Sequence, residues 1–182
     1  MKGKRVVLGV TGSIAAYKAA DLVSQLGKEG ADVTVILTRA AQEFVRPLTF
    51  HTLSRNPVVT DLFGERATWD PEHVALATRC DVFCVAPATA NAIARLALGL
   101  ADDALTTTAL LIRCPRLVAP AMNDRMWEHE TVQGHLTTLR VRGWTVIPPA
   151  EGVLACGSVG VGKLASVEAV FDAIARAAGP RA

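Results

Sequence analysis

Long apolar runs are missing from this 182-residue chain. None approaches the roughly 20 consecutive residues that a membrane-spanning helix needs, so no membrane partner is expected. An excess of one charge is missing too. Nineteen Lys and Arg against 17 Asp and Glu leave a formal net charge of +2, without the basic stripe that a nucleic-acid partner requires. No Cys-x-x-Cys pair occurs among Cys80, Cys84, Cys114 and Cys156, and the histidines His51, His73, His129 and His135 lack metal-ligand spacing. No metal is therefore expected. Met1-Lys2-Gly3-Lys4 leads into an apolar run with no small-residue cleavage pattern after it. That run is read as a first strand and not a signal peptide, which gives a cytoplasmic expectation and four free thiols. Repeats and linkers are also absent, so residues 1–182 are expected to form one domain.

What is present is core-forming material, 51% hydrophobic and 20% charged. Short β-branched runs alternate with helical patterns along the whole chain. Strands are expected at Lys4 to Val10, Val33 to Leu37, Val58-Val59, Val82 to Ala86, Arg116 to Ala119 and Trp144 to Ile147. Cys84 falls inside one of them and should be buried. Helices are expected at Ile14 to Lys28, Ala40 to Phe44, Ala90 to Leu98, Asp103 to Ile112, Asp124 to Val141 and Val167 to Ala177. The stretch holding Pro47 and Pro57 reads as turns. The fold class that follows is α/β: a three-layer, Rossmann-like arrangement of a parallel sheet with helices on both faces. Pro148 to Ala165, with Gly152, Gly157, Gly160 and Gly162, breaks the rhythm and reads as a long loop able to act as a lid.

Ligands of open parallel sheets bind at the carboxyl ends of the strands. Three segments fall there. Gly9-Val10-Thr11-Gly12-Ser13 joins a strand to a helix whose N-terminus can take a phosphate. It lacks the Gly-x-Gly-x-x-Gly dinucleotide spacing, and the same residues also suit a tight turn capped by Ser13. Ala86-Pro87-Ala88-Thr89-Ala90-Asn91 offers Thr89 as an N-cap beside small residues. Pro120-Ala121-Met122-Asn123-Asp124-Arg125-Met126-Trp127 offers Asn123, either as a cap or as a hydrogen-bond partner for a substrate carboxylate. His73 stands near a helix start, and Cys156 is the one cysteine in the glycine-rich segment.

In their order along the chain these motifs make it resemble the homo-oligomeric flavin-containing cysteine decarboxylases, from Lys4 to about Ala177. The carriers are Gly12-Ser13-Ile14-Ala15-Ala16-Tyr17-Lys18, Pro87-Ala88-Thr89-Ala90-Asn91, the family's Pro-x-Met-Asn-x-x-Met-Trp pattern at 120–127, and Ala155-Cys156-Gly157. The resemblance implies FMN as cofactor, with Gly12, Ser13 and Ile14 at its phosphate end and Thr38, Thr89, Ala90, Asn91 and Ala121 around the rest. It implies His73, Asn123 and Cys156 as catalytic residues, and Asn123, Met126 and Lys163 as substrate contacts. It implies a trimer, or a dodecamer of trimers, acting on the small molecule phosphopantothenoylcysteine in coenzyme A biosynthesis. A separate phosphopantothenoylcysteine synthetase is a further implied partner, since many relatives carry one fused, and this chain is either stand-alone or a separated domain. Ser158 stands where the family commonly has Asp. Lys163 stands where Arg is frequent, and Lys lacks the bidentate grip of Arg on an anion.

The chemistry implied by the resemblance explains the residue types. Losing CO2 from a cysteine carboxylate leaves an electron pair on the α-carbon, where the amide nitrogen is a poor sink. Oxidising CH2–SH to a thioaldehyde places C=S β to the carboxylate, and decarboxylation then yields an enethiol. The flavin supplies the redox chemistry and the protein supplies orientation and electrostatics. His73 would deprotonate or orient the thiol, Asn123 would hold the carboxylate, and Cys156 would protonate the enethiol as it is reduced. Peptidyl-cysteine decarboxylases share the fold and the Asn motif but release the enethiol; Cys156 favours the coenzyme A reading. Non-catalytic flavin-binding regulators also resemble this chain, and retention of His73, Asn123 and Cys156 together favours catalysis.

Overall fold

The structure, a computed structural model, describes residues 1–62, 72–155, 157 and 159–179, with backbone alone for 72–75. Cys156 and Ser158 lie outside the described residues, as does the side chain of His73.

Six strands form a wholly parallel sheet: β1 (Arg5–Val10), β2 (Asp32–Leu37), β3 (Val58–Val59), β4 (Val82–Ala88), β5 (Arg116–Pro120) and β6 (Trp144–Val146). Their order is β3-β2-β1-β4-β5-β6. Alternation along each strand sends side chains to opposite faces. Val6, Leu8 and Val10 pack with α1 (Ala16–Lys28), Phe50 of α2 (Pro47–Ser54) and α8 (Val167–Ala178). Val7, Phe83, Val85 and Val118 pack on the other face. Their partners there include Ala77 of α3 (Glu72–Arg79), Ile93 of α4 (Ala90–Leu98), Leu105 of α5 (Ala104–Leu111), and Leu136 and Leu139 of α7 (Glu130–Val141). The helices amphipathically match this plan: α1 buries Ala16, Ala19, Leu22, Val23 and Leu26, a helical stripe. The expected α/β Rossmann-like architecture is therefore the observed one.

Four local readings need correction. Pro47 does not mark a turn but opens α2, because the first helical residue has no intrahelical use for its N–H. The segment after Thr38 is a 3-10 helix, Arg39–Glu43, not an α-helix. The single helix expected over 124–141 is two, α6 (Asp124–Glu128) and α7, broken where His129 turns extended and its Nδ1 accepts a bond from Thr131 N at 3.2 Å. The long loop contains an antiparallel hairpin, β7 (Ala150–Val153) with β8 (Val159–Lys163). The valines of β8, Val159 and Val161, do alternate, but their spacers are the glycines Gly160 and Gly162, which read as loop punctuation.

The centre of the sheet is tightly packed. Cys84 is fully buried, and burial pushes its thiol up to about 12. A methyl group on Gly9 would run into the side chain of Leu105, itself 1% exposed. Gly9→Ala should therefore destabilise the fold by about 1–3 kcal/mol, the usual cost of overpacking. Urea unfolding checks this, and an unchanged midpoint would mean that Leu105 re-packs freely.

Candidate active site

Strand order reverses between β1 and β4, so their carboxyl ends diverge into opposite crossovers and leave a crevice. Thr11, 2% exposed, bridges it. Its hydroxyl donates to Pro87 O at 2.7 Å and accepts from Thr89 N at 3.0 Å, while its own N–H reaches Pro87 O at 3.3 Å. Thr38 N donates to Val10 O at 3.1 Å and Ala121 N to Ala88 O at 3.0 Å. The ends of β2, β1, β4 and β5 are thus tied in one row.

A side-chain oxygen fixes the backbone after each strand end: Thr38, Thr89 and Asn123 cap the helices that follow, and Ser13 holds the turn just before α1. Ser13 Oγ accepts from Ala15 N at 3.2 Å, Thr38 Oγ1 from Ala41 N at 3.3 Å, Thr89 Oγ1 from Ala92 N at 3.2 Å, and Asn123 Oδ1 from Arg125 N at 2.9 Å. Local cap chemistry explains why these residue types sit there. Gly12 has a packing reason: a Cβ there would fall 2.5 Å from the Ala40 Cβ. Its absence lets the β1–α1 turn lie against the 3-10 turn after β2.

Two clefts open on this edge, one on either side of Gly12-Ser13. The larger, about 1150 Å3, is bounded by Gly12, Thr38, Thr89, Ala90, Asn91 and Met126. The smaller, about 340 Å3, is bounded by Ser13, Ile14, Lys18, Ala121, Asn123 and Lys163, and by the hairpin residues 153–155. The expected flavin set is therefore divided: five of its members face the large cleft, and Ser13, Ile14 and Ala121 face the small one. The expected substrate contacts divide as well, Asn123 and Lys163 on one side and Met126 on the other. For His73 the structure places the backbone in the first turn of α3. Cys156 falls, by sequence, between β7 and β8.

Two glycines seat the hairpin. A Cβ on Gly162 would strike the carbonyl oxygen of Met122, and Met122 N donates to Gly162 O at 2.9 Å. A Cβ on Gly160 would lie 2.8 Å from Asp124 Cβ. Side chains at either position would lift β8 off the turn that presents Asn123.

Charge is arranged unevenly. Lys18 and Lys163 are the charged residues bounding the small cleft, among those described. In the large cleft Arg95 is neutralised by Asp102 at 2.7 Å and Asp103 at 2.9 Å. Asp103 also caps α5, accepting from Thr106 N at 2.8 Å. Sequence reasoning missed Thr11, Lys18 and this Arg95 cluster as site members. Thr11 lay inside a quoted motif, and a hydroxyl residue directly before Gly-Ser was the only local hint.

Set beside known proteins, the chain matches the Flavoprotein family over residues 1–179. It is 44% identical over 173 residues to the probable phosphopantothenoylcysteine decarboxylase of Streptococcus mutans, covering 94% of this chain and 97% of that one. It is 47% identical over 168 residues to the coenzyme A biosynthesis bifunctional protein CoaBC of Bacillus subtilis, covering 92% of this chain but only 41% of that one. Its fold superposes with a TM-score of 0.85 on a cysteine-to-serine mutant of PPC decarboxylase complexed with pantothenoylaminoethenethiol, at 30% identity and over 96% of this chain and 98% of that one. The FMN-dependent cysteine decarboxylase SpaF gives 0.82 at 32% identity, over 97% and 98%.

Thr11→Val keeps the shape of the bridging residue but leaves Thr89 N without its acceptor in a partly buried crevice. A loss of about 1–3 kcal/mol is expected. Thermal and urea unfolding measure it; an unchanged stability would show that the bridge does not hold the crevice.

Proposed function

We propose that this chain, which belongs to the Flavoprotein family, is an FMN-dependent decarboxylase that converts 4'-phosphopantothenoylcysteine to 4'-phosphopantetheine. The observation that carries the reading is the seating of the β7–β8 hairpin on the Asn123 turn, directly across Gly12-Ser13 from a second, larger cleft. One cleft suits a substrate under a lid, and its neighbour suits a flat cofactor.

The larger cleft fits FMN by its lining. Ala90 and the half-exposed Met126 give apolar surface for a ring, and Thr38, Thr89 and Asn91 give hydroxyl and amide groups for a polyol chain. Ser13 and Ile14, in the turn just before α1, stand at the seam between the clefts, where a phosphate gains from the positive end of the helix dipole. When bound, FMN supplies a two-electron acceptor for the substrate's CH2–SH group and returns those electrons later, so that the overall reaction is redox-neutral.

The protein's own groups do the rest. Asn123 uses Oδ1 as a cap, which fixes its carboxamide plane, and its NH2 is the donor type a carboxylate takes. His73 is assigned to orient or deprotonate the substrate thiol, and Cys156 to deliver the proton that completes the saturated thiol. The structure solved with pantothenoylaminoethenethiol holds a cysteine-to-serine mutant of a PPC decarboxylase, and this supports the Cys156 assignment. Met126 and Lys163 are assigned to the substrate. Lys18 joins Lys163 as a second cation for an anionic tail.

The reading includes a homo-oligomer, a trimer or a dodecamer of trimers, in the cytoplasm. Leu98, Leu110 and Tyr17, each more than half exposed, are apolar area for such contacts. The bifunctional CoaBC relatives are more than twice this length, so a separate synthetase is assigned the step that makes the substrate.

The deciding experiment is mass spectrometry of products from FMN-loaded enzyme with 4'-phosphopantothenoylcysteine. Loss of CO2 with a saturated thiol is expected, and Cys156→Ser should stop at the enethiol. An enethiol from the unmutated enzyme would point to a peptidyl-cysteine decarboxylase, and no turnover would remove the reading. Asn123→Asp should keep the cap and the fold, since Asp caps as well as Asn, yet lose about 100-fold or more in kcat/KM through carboxylate repulsion. Full activity would remove the Asn123 assignment. Lys18→Met and Lys163→Met should each raise KM for the phosphorylated substrate about tenfold, the value of a charge-assisted hydrogen bond. Pantothenoylcysteine without the phosphate should be unaffected; equal losses on both substrates would place the lysines elsewhere.

A further inference from the structure

Cys80 and Cys114 stand at the amino ends of two neighbouring strands. Cys80 follows α3 and precedes β4, and Cys114 follows α5 and precedes β5. Their strands pair there, with Phe83 opposite Arg116 and Phe83 N donating to Pro115 O at 3.0 Å. The two Sγ atoms are 3.2 Å apart, and both residues are partly exposed. Cys84, four residues on, is fully buried and points into the core instead.

We propose that Cys80 and Cys114 form a peroxide-oxidisable dithiol, a modification site that closes reversibly to a disulfide and staples β4 to β5. A disulfide needs about 2.05 Å between sulfurs, so rotation of the two side chains by about 1 Å suffices. Adjacent parallel strands hold their backbones at about 4.8 Å, within the range a disulfide spans. The pair is also asymmetric. Its mutual hydrogen bond lowers the Cys114 thiol below its ordinary range, and the same bond, with burial, raises Cys80.

The chemistry balances. The Cys114 thiolate attacks one oxygen of hydrogen peroxide, the O–O bond breaks, and hydroxide leaves and takes a proton to become water. Cys114 is then a sulfenic acid. The Cys80 sulfur attacks that sulfur, the S–O bond breaks, and a second water leaves with the Cys80 proton. Two thiols have given up two electrons to one peroxide.

The site lies at the opposite edge of the sheet from the ligand clefts. β4 is seven residues long, so about 20 Å separates Cys80 from Pro87–Asn91. Closing the bond leaves the clefts open while tying the two strands that carry Thr89 and Asn123 at their far ends. The loop so closed spans α4 and α5, long enough for a substantial restriction of the unfolded chain.

The test treats FMN-loaded full-length protein with hydrogen peroxide, alkylates free thiols, and digests with trypsin. Trypsin places the two cysteines on separate peptides, Cys80–Arg95 and Cys114–Arg116, and fragmentation separates Cys80 from Cys84. The expected result is one joined species, two hydrogens lighter than its parts, which dithiothreitol separates and which is missing in Cys114→Ser. The oxidised protein should melt roughly 5–10 °C higher than the reduced one. Recovery of Cys80 and Cys114 alkylated on separate peptides after peroxide overturns the proposal. So does their overoxidation without joining, or pairing of either with Cys156.

Discussion

Everything at the ligand edge depends on the buried hydroxyl of Thr11. β1 and β4 are neighbours whose following helices leave towards opposite faces, and beyond the paired residues the backbone link between their carboxyl ends is the long 3.3 Å bond from Thr11 N to Pro87 O. One side chain, donating to Pro87 O and accepting from Thr89 N, closes that gap. The position of Thr89 as a cap follows, then the start of α4, then the common wall of both clefts. A hydroxyl can serve because it donates and accepts at once. A purely apolar residue would leave the crevice polar groups unmatched.

The second constraint is steric. Gly12, Gly160 and Gly162 are positions where a single methyl group would collide with Ala40, Asp124 and Met122. They bring three separate pieces of backbone into contact: the β1–α1 turn, the hairpin, and the turn after β5. The small cleft exists because the hairpin can sit that close to Asn123, and it is separate from the large one because Gly12-Ser13 runs between them. Conformational freedom is not the reason for Gly12, whose backbone has no unusual φ; close approach is.

The two edges of the sheet have different chemistry. The carboxyl edge gathers caps, lysines and hydroxyls on backbone that faces open clefts. The amino edge holds the Cys80–Cys114 pair and the Asp81 carboxylate, which accepts from Arg5 N at 2.7 Å. Parallel strands make this division: all start at one edge and finish at the other, so residues before strands and residues after strands never mix.

Much of the molecule was determined by the sequence itself. β-branched runs placed all six sheet strands to within two residues, and Thr89 and Asn123 announced helix starts because capping is a contact with a residue two or three positions away. The motif order announced the family. The readings that failed were still local but ambiguous: Pro47 suits a turn and a first helical turn equally, His129 is an uncommon cap, and the valines of the hairpin are spaced by glycines that suit a loop as well as a strand. Only the tertiary structure decided that Thr11 meets residues 76 and 78 positions away, that the expected flavin residues fall on two sides of one turn, that Lys18 shares a cleft with Lys163, and that two cysteines 34 positions apart touch. The physical reason is the range of the interaction. Caps and periodicity act within a few residues, whereas these contacts arise where strands distant in the chain become neighbours, and a linear pattern carries no record of which neighbours will meet.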